Sequence, residues 1–204
     1  MAEETHERLV STALDTFLLQ GIRKTSMDDV AKAAGVTRVT IYRYFQDKKE
    51  LVRAAFLKEV VGIELINREF IARGHWEIDA YLDAIGKYFR GLPQGNLAAR
   101  HEELARVYPD VADEFRRRRR AAIHKTFGLL LEVADSQGLV REHLHRRVVE
   151  AYFQAAVINI MEHPALTSLN LSLAEIYATA SSIFMHGILK DPQPSESDLA
   201  RCEA

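Results

Sequence analysis

A single cysteine occurs among the 204 residues, Cys202, third from the end in a polar stretch. An intramolecular disulfide and a cysteine-based metal cluster are therefore both excluded, which fits a reducing cytosol, and a cytoplasmic protein is expected. Only 5 prolines and 10 glycines interrupt the chain, which favours long helices over many short strands. No run approaches the roughly 20 apolar residues of a membrane span. The opening MAEETHERLV is acidic and amphipathic, without the apolar stretch of a signal peptide, so no membrane partner is expected. General positive charge is also missing: the formal net charge is -2, so any nucleic-acid contact needs a local patch. Neither GxSxG, a phosphate-binding lysine loop, GxGxxG after a strand nor HExxH occurs, so enzymatic chemistry would need a group assembled from scattered His and Glu. A non-enzymatic role without cofactor or metal is expected.

Apolar residues Val10, Ala13, Leu14 and Phe17 recur at i, i+3, i+4 and i+7, one face of a first helix that ends near Gly21. In TSMDDVAKAAG, Ser26 is the N-cap of a second helix, with Asp28 and Asp29 in its first turn and Met27, Val30, Ala31 and Ala34 inward. Gly35 and Val36 then separate it from TRVTIYRYF, capped by Thr37. Two short helices across a glycine turn read as a helix-turn-helix. A long helix is expected over 47–73, and further helices near 76–90, 97–107, 110–135, 144–163 and 172–190. The fold class is thus all-α, about nine helices in total. The expected division is an N-terminal three-helix helix-turn-helix domain over 1–50, a C-terminal helical domain over 51–190, for which ligand binding and dimerisation are the expectations developed below, and a polar tail over 191–204.

Within TRVTIYRYF, Ile41 and Phe45 reach the small core and the Tyr44 ring partly covers them. Arg38, Val39, Tyr42 and Arg43, with Thr37 and Thr40, form a side that core packing does not need. Against DNA the same side makes sense: arginine bonds guanine O6 and N7, an apolar side chain meets a thymine methyl, and hydroxyls hold phosphates. Lys32, Arg38, Arg43, Lys48 and Lys49 oppose only Asp47 between residues 32 and 49, a local excess of four positive charges in an acidic chain. The stretch TSMDDVAKAAGVTRVTIYRYFQDKKEL resembles the N-terminal domain of the TetR family of transcriptional regulators, over about residues 9 to 57, roughly a quarter of the chain. The resemblance implies that Thr37, Arg38, Val39 and Arg43 face bases. It also implies that Tyr42, Tyr44, Thr40, Lys48 and Ser26 hold phosphates, the last two at helix starts that favour anions independently. Asp28 makes a base contact from the second helix unexpected.

The last two helices are apolar almost all round. Val149, Tyr152, Phe153, Ala156, Val157 and Ile160 have core spacing in one, and Ile176, Tyr177, Ala180 and Phe184 in the other, which opens with a Ser172/Glu175 capping box. A second surface remains, with Tyr152, Ala155, Ile158 and Asn159 on one helix and Ala178, Ser181, Ser182 and Met185 on the other. A helix apolar on two sides needs two covers, and a second copy of the chain is the simplest second cover. The family implies the same homodimer, which would read a palindromic operator in double-stranded DNA, most simply as a repressor. Between the two ends, Trp76, Tyr81, Tyr88, Phe89, Phe115 and Phe127 either fill the core or line a cavity. His101, His124 and Asn159 are the polar groups best suited to orient a largely apolar small-molecule effector there. The family pattern then implies that the effector shifts the long helix and releases DNA. The run Arg116 to Arg120 exceeds one helical turn, so it reads as a solvated stretch paired with Asp113 and Glu114. His143 and His145 have metal-like spacing without an evident third ligand.

Overall fold

The computed structural model describes residues 2–92, 97–162 and 172–190, which form nine helices. These are α1 (Ala2–Gln20), α2 (Met27–Ala33), α3 (Arg38–Tyr44), α4 (Lys48–Arg73), α5 (Ile78–Gly91), α6 (Leu97–Val107), α7 (Pro109–Ser136), α8 (Arg146–Glu162) and α9 (Leu173–Ile188). The expected tail, with Cys202, lies outside the described residues. Among those residues the only extended pairing is an isolated antiparallel bridge between Val140 and Leu189. None of their helices is long and apolar enough to cross a membrane.

Local chemistry sets the first three helices. Ser26 and Asp29 close a capping box, the Ser26 oxygen accepting from the Asp29 amide at 3.2 Å and the Asp29 carboxylate from the Ser26 amide at 2.8 Å, so two orphan donors of α2 are satisfied. Gly35 has φ +66, a left-handed conformation costly for any residue with a Cβ. That residue lets the Val36 amide return to the Ala31 carbonyl at 2.9 Å and turns the chain into α3. α1 supplies Leu9, Ala13, Leu14 and Phe17, and α3 supplies Ile41, with Phe45 just beyond it; all are buried together with Val30 of α2.

α4 completes this first core and continues into a second. Asp47 caps it by accepting from the Glu50 amide at 2.8 Å. Leu51, Val52, Ala55 and Phe56 are buried at its start, and Ile63, Asn67 and Phe70 further along. α7 lies against it, tied by Arg53 to Glu114 through two bonds of 2.6 Å and by Arg118 to Glu64. α6 joins the two parts: Arg100 Nε donates to the Leu18 carbonyl at 3.0 Å, and Glu103 accepts from the Arg23 amide at 3.0 Å. α8 and α9 pack beyond α5 and α7, with the rings of Phe127, Phe153 and Phe184 within 5.4 to 6.2 Å of one another.

The arginine run keeps only part of its expected pairing. Glu114 bonds Arg53 rather than Arg118, and Asp113 pairs with Arg116. Arg118 crosses to Glu64, because a helix packed against α4 finds its partners there before it finds them on its own surface.

Gly62 of α4 makes room for the Tyr88 ring of α5. A Cβ there would lie 2.0 Å from Tyr88 Cζ, and the Tyr88 hydroxyl donates to the Lys58 carbonyl across that notch. Gly62→Ala gains about 1 kcal/mol of helix propensity, but the ring must then swing out and lose its bond. The net expectation is a loss of about 1–3 kcal/mol, seen as a lower denaturant midpoint at unchanged slope and fixed protein concentration.

Burial drives the Tyr81 phenol up to about 12, against a downward pull from Thr126. Burial, reinforced by Glu59, takes Tyr88 to about 12 as well. An unfolded tyrosine ionises near pH ~10, so the folded state keeps both phenols neutral where the unfolded chain ionises them. Stability complete below about pH 10 is lost as pH rises through about 12, by up to roughly 3 kcal/mol per residue. Urea midpoints taken across that range should fall, and fall less steeply in Tyr81→Phe.

Candidate nucleic-acid interface and interior cavity

The outward side of α3 is held by its neighbours rather than by its own core. Val39 is 80% exposed, the most exposed large apolar side chain among the described residues, and Tyr42 is 41% exposed. Arg38 Nη1 donates to Asp28 of α2 at 2.7 Å, and its guanidinium carbon lies 5.5 Å from the centre of the Tyr42 ring. Arg43 is exposed and sits 5.3 Å from the Tyr44 ring. Thr37 caps α3 by accepting from the Thr40 amide at 3.2 Å, and the two hydroxyls bond each other at 2.9 Å. The surface presented to solvent therefore contains two guanidiniums, an apolar methyl pair, a phenol and two hydroxyls, the set that base edges and phosphates accept.

Three expected contacts are partly committed inside the protein. The Ser26 hydroxyl donates to Asp29 at 2.7 Å within the capping box. Tyr44 is half-buried, its ring centre 6.1 Å from that of His6 on α1. Lys48 turns its ammonium to the Arg23 carbonyl at 3.4 Å. Burial holds its pKa below the usual lysine range, despite the opposing pull of Glu103 and Asp29. The basic patch is smaller than its sequence count, because Lys49 pairs with Asp110 of α7 at 2.7 Å. Arg23 and Lys24, exposed in the turn before α2, lie outside residues 32 to 49 and add two further cations before α2.

Between α4, α5, α7, α8 and α9 is a cavity of about 110 Å³ that opens to solvent. Of the nine side chains expected there, Phe89, Phe115 and Phe127 line it, with Val60, Ile63, Leu130 and Phe184. Glu59, Arg119, Thr126, Tyr177 and Ser181 are its polar wall. Glu59 is buried, and both its oxygens lie 3.2 to 3.3 Å from His101 Nε2. His101 thus acts behind the wall, where its ring packs 4.7 Å from that of Phe115.

The other five expected lining residues lie elsewhere. Trp76 and Tyr81 cluster with Phe70 at the far end of α4, with ring centres 4.8 to 5.5 Å apart. The Tyr81 hydroxyl is spent on buried Asn67, which also accepts from Thr126 at 3.3 Å. Tyr88 fills the Gly62 notch. His124 and Asn159 are exposed on α7 and α8, because their helical phase points them away from the bundle interior. Glu59 had a legible signal, an acid one to four residues from Phe56, Val60 and Ile63 on a helix; Arg119 was hidden inside the arginine run.

The remaining outer surface belongs to α8 and α9. Tyr152 and Val148 are each 64% exposed and Ile183 52%. Ala155, Asn159, Ala178 and Ser182 are also exposed, while Ile158 and Met185 are half-buried. Tyr152 leaves the core that its spacing allowed. Ser181 turns inward: its hydroxyl donates to the Tyr177 carbonyl at 2.9 Å and it lines the cavity. His143 and His145 are exposed, and no group of three metal-ligating side chains comes together among the described residues.

Residues 9–55 match the family model described as bacterial regulatory proteins, tetR family. The HTH-type transcriptional regulator SrpR of Pseudomonas putida is 34% identical over 87 residues, 41% of each chain. A protein of Escherichia coli (strain K12) named "Probable acrEF/envCD operon repressor" is 26% identical over 204 aligned positions, covering 96% of this chain and 90% of its own. A crystal structure of a TetR-family transcriptional regulator from Agrobacterium tumefaciens shares the fold with a TM-score of 0.64 at 17% identity, over 93% of this chain and 100% of that one. The outward-facing α3 and the glycine turn before it lie within the matched residues 9–55, so this N-terminal part is a TetR-family DNA-binding domain and the protein is a DNA-binding transcriptional regulator.

Proposed function

We propose that the protein is a homodimeric repressor that binds a roughly palindromic operator and releases it when a largely apolar small molecule occupies the interior cavity. The exposed side of α3 carries this reading, because Arg38, Val39, Tyr42 and Arg43 stand out to solvent with no structural need to do so. In the groove, Thr37, Arg38, Val39 and Arg43 face base edges, while Ser26, Thr40, Tyr42, Tyr44 and Lys48 hold the backbone. Repression is supported by the name of the relative that aligns along nearly the whole chain.

The dimer rests on α8 and α9. Val148, Tyr152 and Ile183 form an exposed apolar surface, and small neighbours such as Ala155 and Ala178 let a twofold copy approach closely. Two α3 helices then meet successive major grooves about 34–36 Å apart. Release follows from the cavity wall, which includes Glu59, Val60 and Ile63 of α4. An occupant that favours one position of α4 shifts the reading helices by as much as its affinity differs between the two arrangements. The effector is therefore an apolar small molecule, and the protein works where its DNA is, in the cytoplasm.

Selection of bound duplexes from a random pool at near-physiological salt should enrich an inverted repeat; uniform weak binding would refute the reading. Arg38→Ala should relax base preference at one position per half-site, at a cost of about 1–3 kcal/mol. Lys48→Ala should weaken all sequences alike and lower the salt slope by about one, and equal losses on operator and random DNA for both changes would refute this division of roles. Charge in the apolar contact, as in Tyr152→Glu with Ile183→Glu, should give a monomer by sedimentation at micromolar concentration and abolish binding to the paired half-sites.

A further inference from the structure

We propose that Asp28 fixes the guanidinium of Arg38 for base contact and is thereby a determinant of operator specificity; this rests on the reading of α3 as the base-reading helix. Asp28 is the second residue of α2, and the helix end does not use its carboxylate, since Asp29 closes the capping box with Ser26. Instead Asp28 Oδ2 accepts from Arg38 Nη1 at 2.7 Å, ten residues along and across the glycine turn.

Both side chains are more than half exposed, at 53% and 68%, and an ion pair in water adds little to stability. The consequence lies in geometry. An unpaired surface arginine samples many rotamers and loses that freedom when it docks on a base, which weakens binding. Here the carboxylate holds one edge of the guanidinium while the Tyr42 ring lies 5.5 Å from its centre, so two sides of the group are fixed before DNA arrives. Nη1 is occupied, but the Nε and Nη2 donors form a complete parallel pair, the arrangement that meets guanine O6 and N7. Asp28 also has an opposite effect: an acid on a surface that approaches phosphates weakens attraction to every sequence alike. Asp28 therefore lowers general affinity while raising discrimination.

The test measures affinities of the full chain for the duplex enriched by the wild-type protein and for a scrambled duplex of the same composition, at one salt concentration. Asp28→Ala should bind the scrambled duplex as well as wild type or several-fold better, and its operator-to-scrambled ratio should fall roughly tenfold. In an Arg38→Ala background the same change should leave the ratio where Arg38→Ala alone puts it, because Asp28 acts through Arg38. An unchanged ratio, a further loss in the Arg38→Ala background, or a lowered melting temperature that assigns the effect to folding would each overturn the proposal. If the wild-type chain enriches no motif, the reading of α3 itself falls; if it enriches one that Asp28→Ala reads equally well, only the role of Asp28 falls.

Discussion

The first turns of α4 bury Leu51, Val52, Ala55 and Phe56 beside α1, while the same helix buries Ile63, Asn67 and Phe70 against α5 and α7. A helix of 26 residues is about 39 Å long and contributes buried side chains to both cores, so a shift of α4 is felt in each. Each large apolar side chain removed from water contributes about 1.5–3 kcal/mol, and α4 places such side chains on both sides of the boundary. The exposed face of α3, the cavity and the outer helices all take their positions from this shared burial.

Polar contacts make the coupling directional. Arg53 with Glu114 and Arg118 with Glu64 bind α7 to α4 along its length. Lys58 reaches Ser11 on α1, and its carbonyl accepts from Tyr88 on α5, so one residue of α4 touches both parts of the molecule. On the other flank, α6 grips the turn after α1 through Arg100 and Glu103. Burial pushes the Glu103 carboxyl up, but the amides of Arg23 and Ile22 and the Arg100 guanidinium outweigh it and hold the group below the usual glutamate range. The next residue but one toward the start of α6, His101, bonds Glu59 in the cavity wall. The cavity wall is therefore joined to α1 and the turn after it by two physical routes, one along α4 and one along α6.

Charge on the reading side is sparing. Lys49 is paired with Asp110 of α7, Arg38 with Asp28, and Lys48 is turned toward the Arg23 carbonyl, while Arg43, Lys32 and the preceding Arg23 and Lys24 are also exposed near α3. Affinity for random DNA rises with the number of cations that meet phosphates, so this face carries only a modest sequence-independent attraction.

The helix-turn-helix was readable almost residue by residue, because its signals are local. Ser26 and Thr37 as caps, Gly35 as the turn, and the inward Ile41 and Phe45 depend on spacings of one to four residues, which sequence states directly. The order of nine helices among the described residues was legible for the same reason, since periodicity and capping act within one helix. The cavity was not. Phe89, Phe115 and Phe127 line it, whereas Trp76, Tyr81 and Tyr88 of equal size do not, and only the phase of each helix against its neighbours separates the two groups. The pairing of Asp28 with Arg38 and of Glu59 with His101 joins residues ten and forty-two apart. Sequence determined which elements form and which side of each avoids water; tertiary packing alone decided which side chains meet, because contacts between helices depend on rotations and separations that no local spacing encodes.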